Sequence, residues 1–391
     1  MNQLRSGVSK YFFFKIDLNK FKIPQNVPVE TSYLTDIDVN TLDRIKDYKT
    51  FTKKIPIVIN GRTYEGTPRM QICPYDNEIN VCLYQHASEE QIKFAINSHE
   101  IGKQALKKLS IQEKTTMFNK LADLFTKDDL KFDIQASTIL GQGKTLHQAE
   151  IDAVCELGDF LNFNAYFLNR LNSYQPYSFN SEDADNFSSW NPLNGFVASI
   201  TPFNFTAIGA NLATAPLLMN NSVLWKPSDN AILSNYVFFK QLLEIGIPPE
   251  SISFLLSEPN LFFKTISRSP EMAGLAFTGS SSVFEQMYKT VGNNISRYNN
   301  FPRIIGETGG MNFHFVFNDV VDIEDIALKT VRGAFEYSGQ KCSATSRIYL
   351  PNSKADEIIG KLILETLKLK VDSPEKKGTF TSAVINRNSF E

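Results

Sequence analysis

Cys342 stands in the segment Phe335-Glu336-Tyr337-Ser338-Gly339-Gln340-Lys341-Cys342-Ser343, a polar turn containing a glycine and a lysine next to the thiol. A neighbouring cation lowers a thiol pKa and favours the nucleophilic thiolate, so Cys342 is a candidate nucleophile; a buried structural thiol is the competing reading. Upstream, Gly306-Glu307-Thr308-Gly309-Gly310 places a carboxylate beside two glycines. Asn204, in Thr201-Pro202-Phe203-Asn204-Phe205, lies just past an apolar run. A side-chain amide there can donate to an oxyanion or simply cap the next helix. A second run ends in Lys226-Pro227-Ser228-Asp229, where the lysine faces either a nucleotide ribose or phosphate, or solvent. Phe277-Thr278-Gly279-Ser280-Ser281-Ser282 follows a third run and opens a helix. Glycine permits close approach, and hydroxyls with unpaired helix N–H groups suit a phosphate, although a plain serine cap is the alternative. The glycine-rich G-x-G-x-x-G dinucleotide fingerprint is absent.

The elements that must position these groups follow from the patterning. An apolar run at 55–59 leads into Asn60-Gly61, a hairpin turn signal, and 70–73 is extended, so the ordered chain is expected to open with strands. Ser88-Glu89-Glu90-Gln91 reads as a capping box before Ile92, Ala95 and Ile96. Further helices are expected at 111–125 and, as one long rod, at 145–171, followed by a loop or hairpin arm at 172–190. Strands at 196–201, 222–225, 252–256 and 274–277 then alternate with helices at 208–218 and 231–245, after Leu261 and from Val283. This rhythm implies an α/β fold with a parallel sheet covered on both faces, and such sheets bind ligands at the carboxyl ends of their strands.

Composition narrows the partners. The 391 residues are 42% hydrophobic and 21% charged, with 40 Lys and Arg against 42 Asp and Glu. That balance lacks the basic field of a nucleic-acid binder, and no apolar run is long enough to span a membrane. A small-molecule partner is expected. The four cysteines (Cys73, Cys82, Cys155, Cys342) and four histidines (His86, His99, His147, His314) show no metal-ligand spacing, so no metal site is expected. Residues 1–24 are basic with one acid, Asp17, which is compatible with a transit peptide or a frayed tail.

In order and spacing, Asn204, Lys226, Gly279, Glu307 and Cys342 resemble the aldehyde dehydrogenase superfamily. The segments Gly141-Gln142-Gly143-Lys144-Thr145, Gln148-Ala149-Glu150-Ile151-Asp152, Thr201-Pro202-Phe203-Asn204-Phe205-Thr206-Ala207-Ile208-Gly209, Asn312-Phe313-His314-Phe315 and Gly339-Gln340-Lys341-Cys342-Ser343-Ala344 narrow the likeness. They resemble the L-glutamate γ-semialdehyde (Δ1-pyrroline-5-carboxylate) dehydrogenase family, from about residue 55 onward. The resemblance implies oxidation of an aldehyde by NAD in proline catabolism, in the mitochondrial matrix or alternatively the cytoplasm. It implies Cys342 as nucleophile, Asn204 as oxyanion donor and Glu307 as the base for hydrolysis. It implies Thr201, Lys226, Ser228, Gly279, Ser280, Ser281, Ser282 and Val283 against NAD, and Glu156, Phe203 and Ser343 against substrate.

By the same resemblance, residues 1–54 are an amino-terminal extension, 55–306 a parallel Rossmann-type NAD-binding domain, and 307–391 the first part of an α/β catalytic domain. Met311 replaces the lysine of the family's Glu-x-Gly-Gly-Lys. The family's later Glu-x-Phe-Gly-Pro segment, substrate-anchoring loop and dimer strand find no match, so the catalytic domain is expected to be incomplete and the family's homodimer is in doubt for this chain. Two other readings stay open: an inactive NAD-binding paralogue or fragment, and a cysteine acyltransferase with His314 as the only nearby base.

Overall fold

The computed structural model describes residues 22–34, 36–178 and 186–391; the basic segment 1–24 falls almost wholly outside them. Contrary to expectation, a helix precedes the first strand: α1 (Val39–Thr50) starts at Asp38, whose carboxylate accepts from the Thr41 N–H at 2.9 Å, and buries Ile45 and Tyr48. Those core residues are too sparse in a polar stretch to reveal a helical period. Strands β1 (Lys53–Ile55), β2 (Ile57–Ile59), β3 (Arg62–Tyr64), β4 (Thr67–Cys73) and β5 (Asp76–His86) follow. Asn60 and Gly61 adopt φ of 51° and 71°, the left-handed pair that a tight β2–β3 hairpin requires. The long strand β5, which the sequence reading lacks, is the centre of a small sheet, β1-β5-β4.

Next come α2 (Glu89–Asn97), α3 (His99–Lys107), α4 (Ile111–Lys127) and α5 (Leu130–Gln142). Ser88–Gln91 and Ser110–Glu113 are both complete capping boxes. Helices α3 and α5 were not anticipated. In α5 the polar Gln135, Ser137, Thr138 and Gln142 are as buried as its apolar residues, so no polar face marks it as a helix. Each finds a partner inside: Gln135 donates to Glu150 at 2.6 Å, Ser137 to the Ile134 carbonyl at 3.1 Å and Gln142 to the Thr206 hydroxyl at 2.9 Å, while Thr138 shares a 3.0 Å hydrogen bond with Thr206. The rod expected at 145–171 runs continuously from Leu146 to Ser173, with a π turn (Glu150–Glu156) set between α6 (Leu146–Ala149) and α7 (Leu157–Ser173).

The alternating half then runs β6 (Phe196–Ile200), α8 (Thr206–Leu218), β7 (Val223–Lys226), α9 (Ile232–Glu244), β8 (Ile252–Phe254), α10 (Pro259–Ile266), β9 (Met272–Gly279), α11 (Ser281–Asn293) and β10 (Arg303–Thr308). These strands build a sheet of order β10-β9-β6-β7-β8-β2-β3, parallel from β10 to β8, with the β2–β3 hairpin added antiparallel at one edge. Every residue of β6, β7 and β8 is buried, as helices on both faces require. Trp225 on β7 packs edge-on against Phe238, Phe239 and Phe254 at the centre of one face.

Beyond it, β11 (Asn312–Phe315), α12 (Ile323–Phe335), β12 (Thr345–Tyr349), α13 (Ala355–Leu367) and α14 (Arg387–Phe390) form a smaller unit. Its sheet is only the parallel pair β11–β12, and Phe313 is 67% exposed, so one face of that sheet is uncovered among the described residues. A cleft of about 500 Å³ between α12, β12 and α13 is lined mainly by Val331, Phe335, Ile348, Ile359 and Leu362, with no cysteine, histidine or carboxylate among its lining residues.

One ion pair fastens the π turn to the loop that follows α5. Lys144 and Asp152 lie 2.7 Å apart with side chains 0% and 1% exposed. Asp152 also accepts from the Thr206 and Ala207 N–H groups, both at 2.9 Å, and so caps α8. Breaking one side of a buried pair strands the other charge. Lys144→Met is therefore expected to lower unfolding free energy by about 3–5 kcal/mol, read from urea denaturation; a loss below about 1 kcal/mol would refute this role.

Candidate active site

The carboxyl ends of β6, β7, β9 and β10 open on a cleft of about 560 Å³. It gathers Thr201, Phe203, Asn204, Lys226, Ser228, Gly279, Ser280, Val283, Glu307 and Cys342 on one wall, although they span most of the alternating half of the sequence. Ser281, Ser282, Glu156 and Ser343, also singled out from sequence, are not among its lining residues.

Helix-capping does not account for Asn204. Helix α8 has Phe205 at its cap position and takes its capping carboxylate from Asp152, while the Asn204 amide donates to the Gln340 carbonyl at 3.0 Å. An amide carries two N–H donors, so one remains for a ligand. The Asn204 Oδ1 is buried without a partner. Lys226 is not a surface lysine: it is 3% exposed, and its ammonium meets the Pro227 carbonyl at 3.1 Å and Asp229 at 3.5 Å. The Thr201 hydroxyl accepts from the Trp225 indole at 3.1 Å, which locks the start of the Asn204 loop onto the aromatic core.

Ser280 occupies the cap position of α11 without a side-chain cap hydrogen bond. The first N–H groups of that helix are thus open toward the cleft, where an anion would be held. A Cβ on Gly279 would lie 2.6 Å from the Phe277 ring, so only glycine fits there. Pairing of β10 with β9 sets Glu307 directly beside Thr278, whose hydroxyl donates to it at 3.5 Å.

Cys342 is the exposed thiol of the four. Burial raises the other thiols, Cys155 to about 12 with the Glu150 charge contributing. The expected activating cation is otherwise engaged: Lys341 is paired with Glu336 at 3.0 Å, and Glu336 also binds Arg332. Proximity in sequence does not bring the ammonium to the sulfur, because the half-buried Glu336 carboxylate competes for it. The loop is placed by contacts that the sequence reading missed. A Cβ on Gly310 would lie 2.1 Å from the Cys342 carbonyl, and the Asn312 amide donates to that same carbonyl.

Two titratable groups flank the loop. Burial, with help from the Asp152 charge, raises the Glu156 carboxyl from 4.5 to about 7. His147, not His314, is the histidine that faces Glu336, Lys341 and Arg332, and burial lowers its pKa so that it is neutral. His314 instead hydrogen-bonds Thr330 at 2.7 Å on the far side of the small sheet.

Iodoacetamide on folded protein is expected to label Cys342 ahead of Cys73, Cys82 and Cys155, as mapped by peptide mass spectrometry; preferential labelling of a buried thiol would refute the assignment. Because the folded Glu156 pKa lies above its unfolded value, the native state binds the extra proton between them, and this group's contribution to stability falls as pH rises through that window. Glu156→Gln is expected to match the native chain in stability near pH 4.5 and to exceed it progressively up to about pH 7, read as the pH dependence of the urea midpoint. A constant difference across that range would exclude Glu156 as the source.

The profile of the aldehyde dehydrogenase family matches residues 63–391. Mitochondrial delta-1-pyrroline-5-carboxylate dehydrogenases from Homo sapiens and Dictyostelium discoideum are 41% and 40% identical to this chain, over 88% of its length in each case. The chain spans 61% and 62% of the length of those two relatives. The solved NAD-bound delta-pyrroline-5-carboxylate dehydrogenase of Mycobacterium tuberculosis superposes with a TM-score of 0.89 at 32% identity, covering 94% of this chain and 69% of that one. A parallel sheet whose strand ends bring an asparagine amide and a glutamate to the cleft that also holds an exposed cysteine thus coincides with a family match over most of the sequence, and the chain belongs to the aldehyde dehydrogenase family.

Proposed function

We propose that this chain carries out the NAD-dependent oxidation of L-glutamate γ-semialdehyde, formed from 1-pyrroline-5-carboxylate, to L-glutamate in the mitochondrial matrix. The observation that carries the reading is the convergence of Cys342, Asn204 and Glu307 on one cleft with Lys226, Ser228 and the open amino end of α11. The names of the mitochondrial relatives support the substrate and the compartment. No helix among the described residues is long and apolar enough to cross a membrane.

The cleft fits a dinucleotide. Lys226 and Ser228 would hold the adenosine ribose, Gly279 and the uncapped turn from Ser280 through Ser281 and Ser282 to Val283 the pyrophosphate, and Thr201 the nicotinamide side. When bound, NAD supplies the hydride acceptor. Cys342 adds its thiolate sulfur to the aldehyde carbon, and the carbonyl electron pair becomes an oxyanion. The free N–H of the Asn204 amide and the Cys342 backbone N–H hold that charge; losing one such donor costs about 10²–10³ in rate. Oxidation leaves a thioester on Cys342. Glu307 takes a proton from water, which adds to the thioester carbon; the C–S bond breaks and glutamate leaves. Phe203 would line the substrate side, with Glu156 and Ser343 outside the residues that line the cleft.

NADH absorbance with 1-pyrroline-5-carboxylate tests the reading. Turnover is expected to vanish in Cys342→Ala and to fall by about 10²–10⁴ in Glu307→Gln, with a γ-glutamyl adduct on Cys342 seen by intact mass. Turnover surviving in Cys342→Ala would refute the mechanism, and NAD binding without turnover in the native chain would favour an NAD-binding role instead.

A further inference from the structure

The turn that delivers Cys342 is conformationally costly. Tyr337 and Ser338 hold φ of 52° and 54°, and Gly339 follows at 73°. Consecutive non-glycine residues in the left-handed region persist only where surrounding contacts impose them. Tyr337 is fixed from one side, its buried hydroxyl donating to the Gln142 carbonyl at 2.8 Å. Ser338 is fixed from the other by a segment more than 40 residues later in the chain. Its N–H donates to the Thr381 hydroxyl at 2.8 Å, its own hydroxyl shares a 2.8 Å hydrogen bond with that same oxygen, and it also donates to the Ser382 carbonyl at 2.7 Å. Gln340 completes the clamp, donating to the Tyr337 carbonyl at 3.1 Å and accepting from the Ile385 N–H at 2.9 Å. Thr381 and Ser382 are each 7% exposed, so water cannot readily replace them. Gln340 is also the residue whose carbonyl holds Asn204.

We infer that Thr381 is a positioning residue for the thiol: through Ser338 it sets the left-handed turn that aligns Cys342 with the Asn204 amide. This rests on the proposed roles of Cys342 and Asn204. Without the Thr381 hydroxyl, the Ser338 N–H loses its buried acceptor and the turn relaxes toward ordinary backbone angles, carrying Gln340 and the sulfur with it. Thr381→Val keeps the shape of the side chain and removes the hydroxyl; Thr381→Ser keeps the hydroxyl.

The experiment uses p-nitrophenyl acetate, which reports on thiol and oxyanion donor alone. The thiolate sulfur bonds to the acetyl carbon, the ester C–O bond breaks, and p-nitrophenolate leaves as a coloured burst. Thr381→Val is expected to slow the burst by about tenfold to a hundredfold, as small misplacements of reacting groups do, while Thr381→Ser stays within about threefold of the native chain. The calorimetric affinity for NAD should be unchanged in both, while the melting temperature should fall by a few degrees in the valine variant only, as loss of a buried hydrogen bond requires. Hydrogen exchange in a peptide spanning Ser338 should speed up in the valine variant only. An unchanged burst in Thr381→Val, or equal losses in the valine and serine variants, would overturn the inference. Should Thr381→Val unfold, the serine variant is read beside Thr381→Ala, and equal burst rates in those two would overturn it equally. A burst that is absent from the native chain, or that survives Cys342→Ala, would instead overturn the proposed function.

Discussion

The buried pair of Lys144 and Asp152 is the contact on which the site's geometry depends. Two charges withdrawn from water must compensate each other, and here they do so at a junction of three segments. Asp152 anchors the amino end of α8, which fixes where the loop containing Asn204 leaves the sheet. Lys144 lies 4.1 Å from the centre of the Phe205 ring and 4.9 Å from that of Tyr337, so the same ammonium touches the residue after Asn204 and the turn before Cys342. Its pKa is lowered by burial and supported by Asp152. Asn204 and Cys342 are thus indexed to one cation, although 138 positions separate them in a sequence of 391.

The parallel sheet supplies the rest. Strands that are buried on both faces can present polar groups only at their ends, and parallel pairing places all their carboxyl ends on one side. That is why Asn204, Lys226, Gly279 and Glu307 were legible in the sequence: each follows a short apolar run at the same point in the strand–helix rhythm. The β2–β3 hairpin and both capping boxes were legible for a similar reason, since their signals are carried by residues within a few positions of each other.

What escaped the sequence reading depends on distant partners. Helix α5 hides because its polar residues point inward to Glu150 and Thr206 rather than to water. Lys341 was read as the thiol's cation from adjacency, but Glu336 holds it, a contact that requires the chain to reverse between them. His147 lies nearly 190 positions from Glu336 and yet faces it. Glu156 and Ser343 came from resemblance, Ser281 and Ser282 from the serine-rich helix start, and none of the four is among the residues lining the cleft. The pinning of Cys342 by Gly310 and Asn312 was invisible because a glycine's close approach leaves no pattern in sequence.

The π turn at Glu150–Glu156 has a further consequence. A π turn holds one more residue than a regular helix would use over the same rise, so it offsets the angular phase of everything after it by about 100°. Residues before the turn and those of α7 therefore obey different phases of one helical repeat. Glu150 and Asp152 point to the interior partners of α5 and α8, while Leu157, Leu161, Ala165 and Leu168 restart an apolar stripe of their own. Because the extra residue is taken up within the turn, removing it would restore a uniform helix with α7 still against its core, and the change would fall on the turn, where Asp152 holds the amino end of α8. The one extra residue thus serves the turn that carries the site's anchor, not the helix behind it.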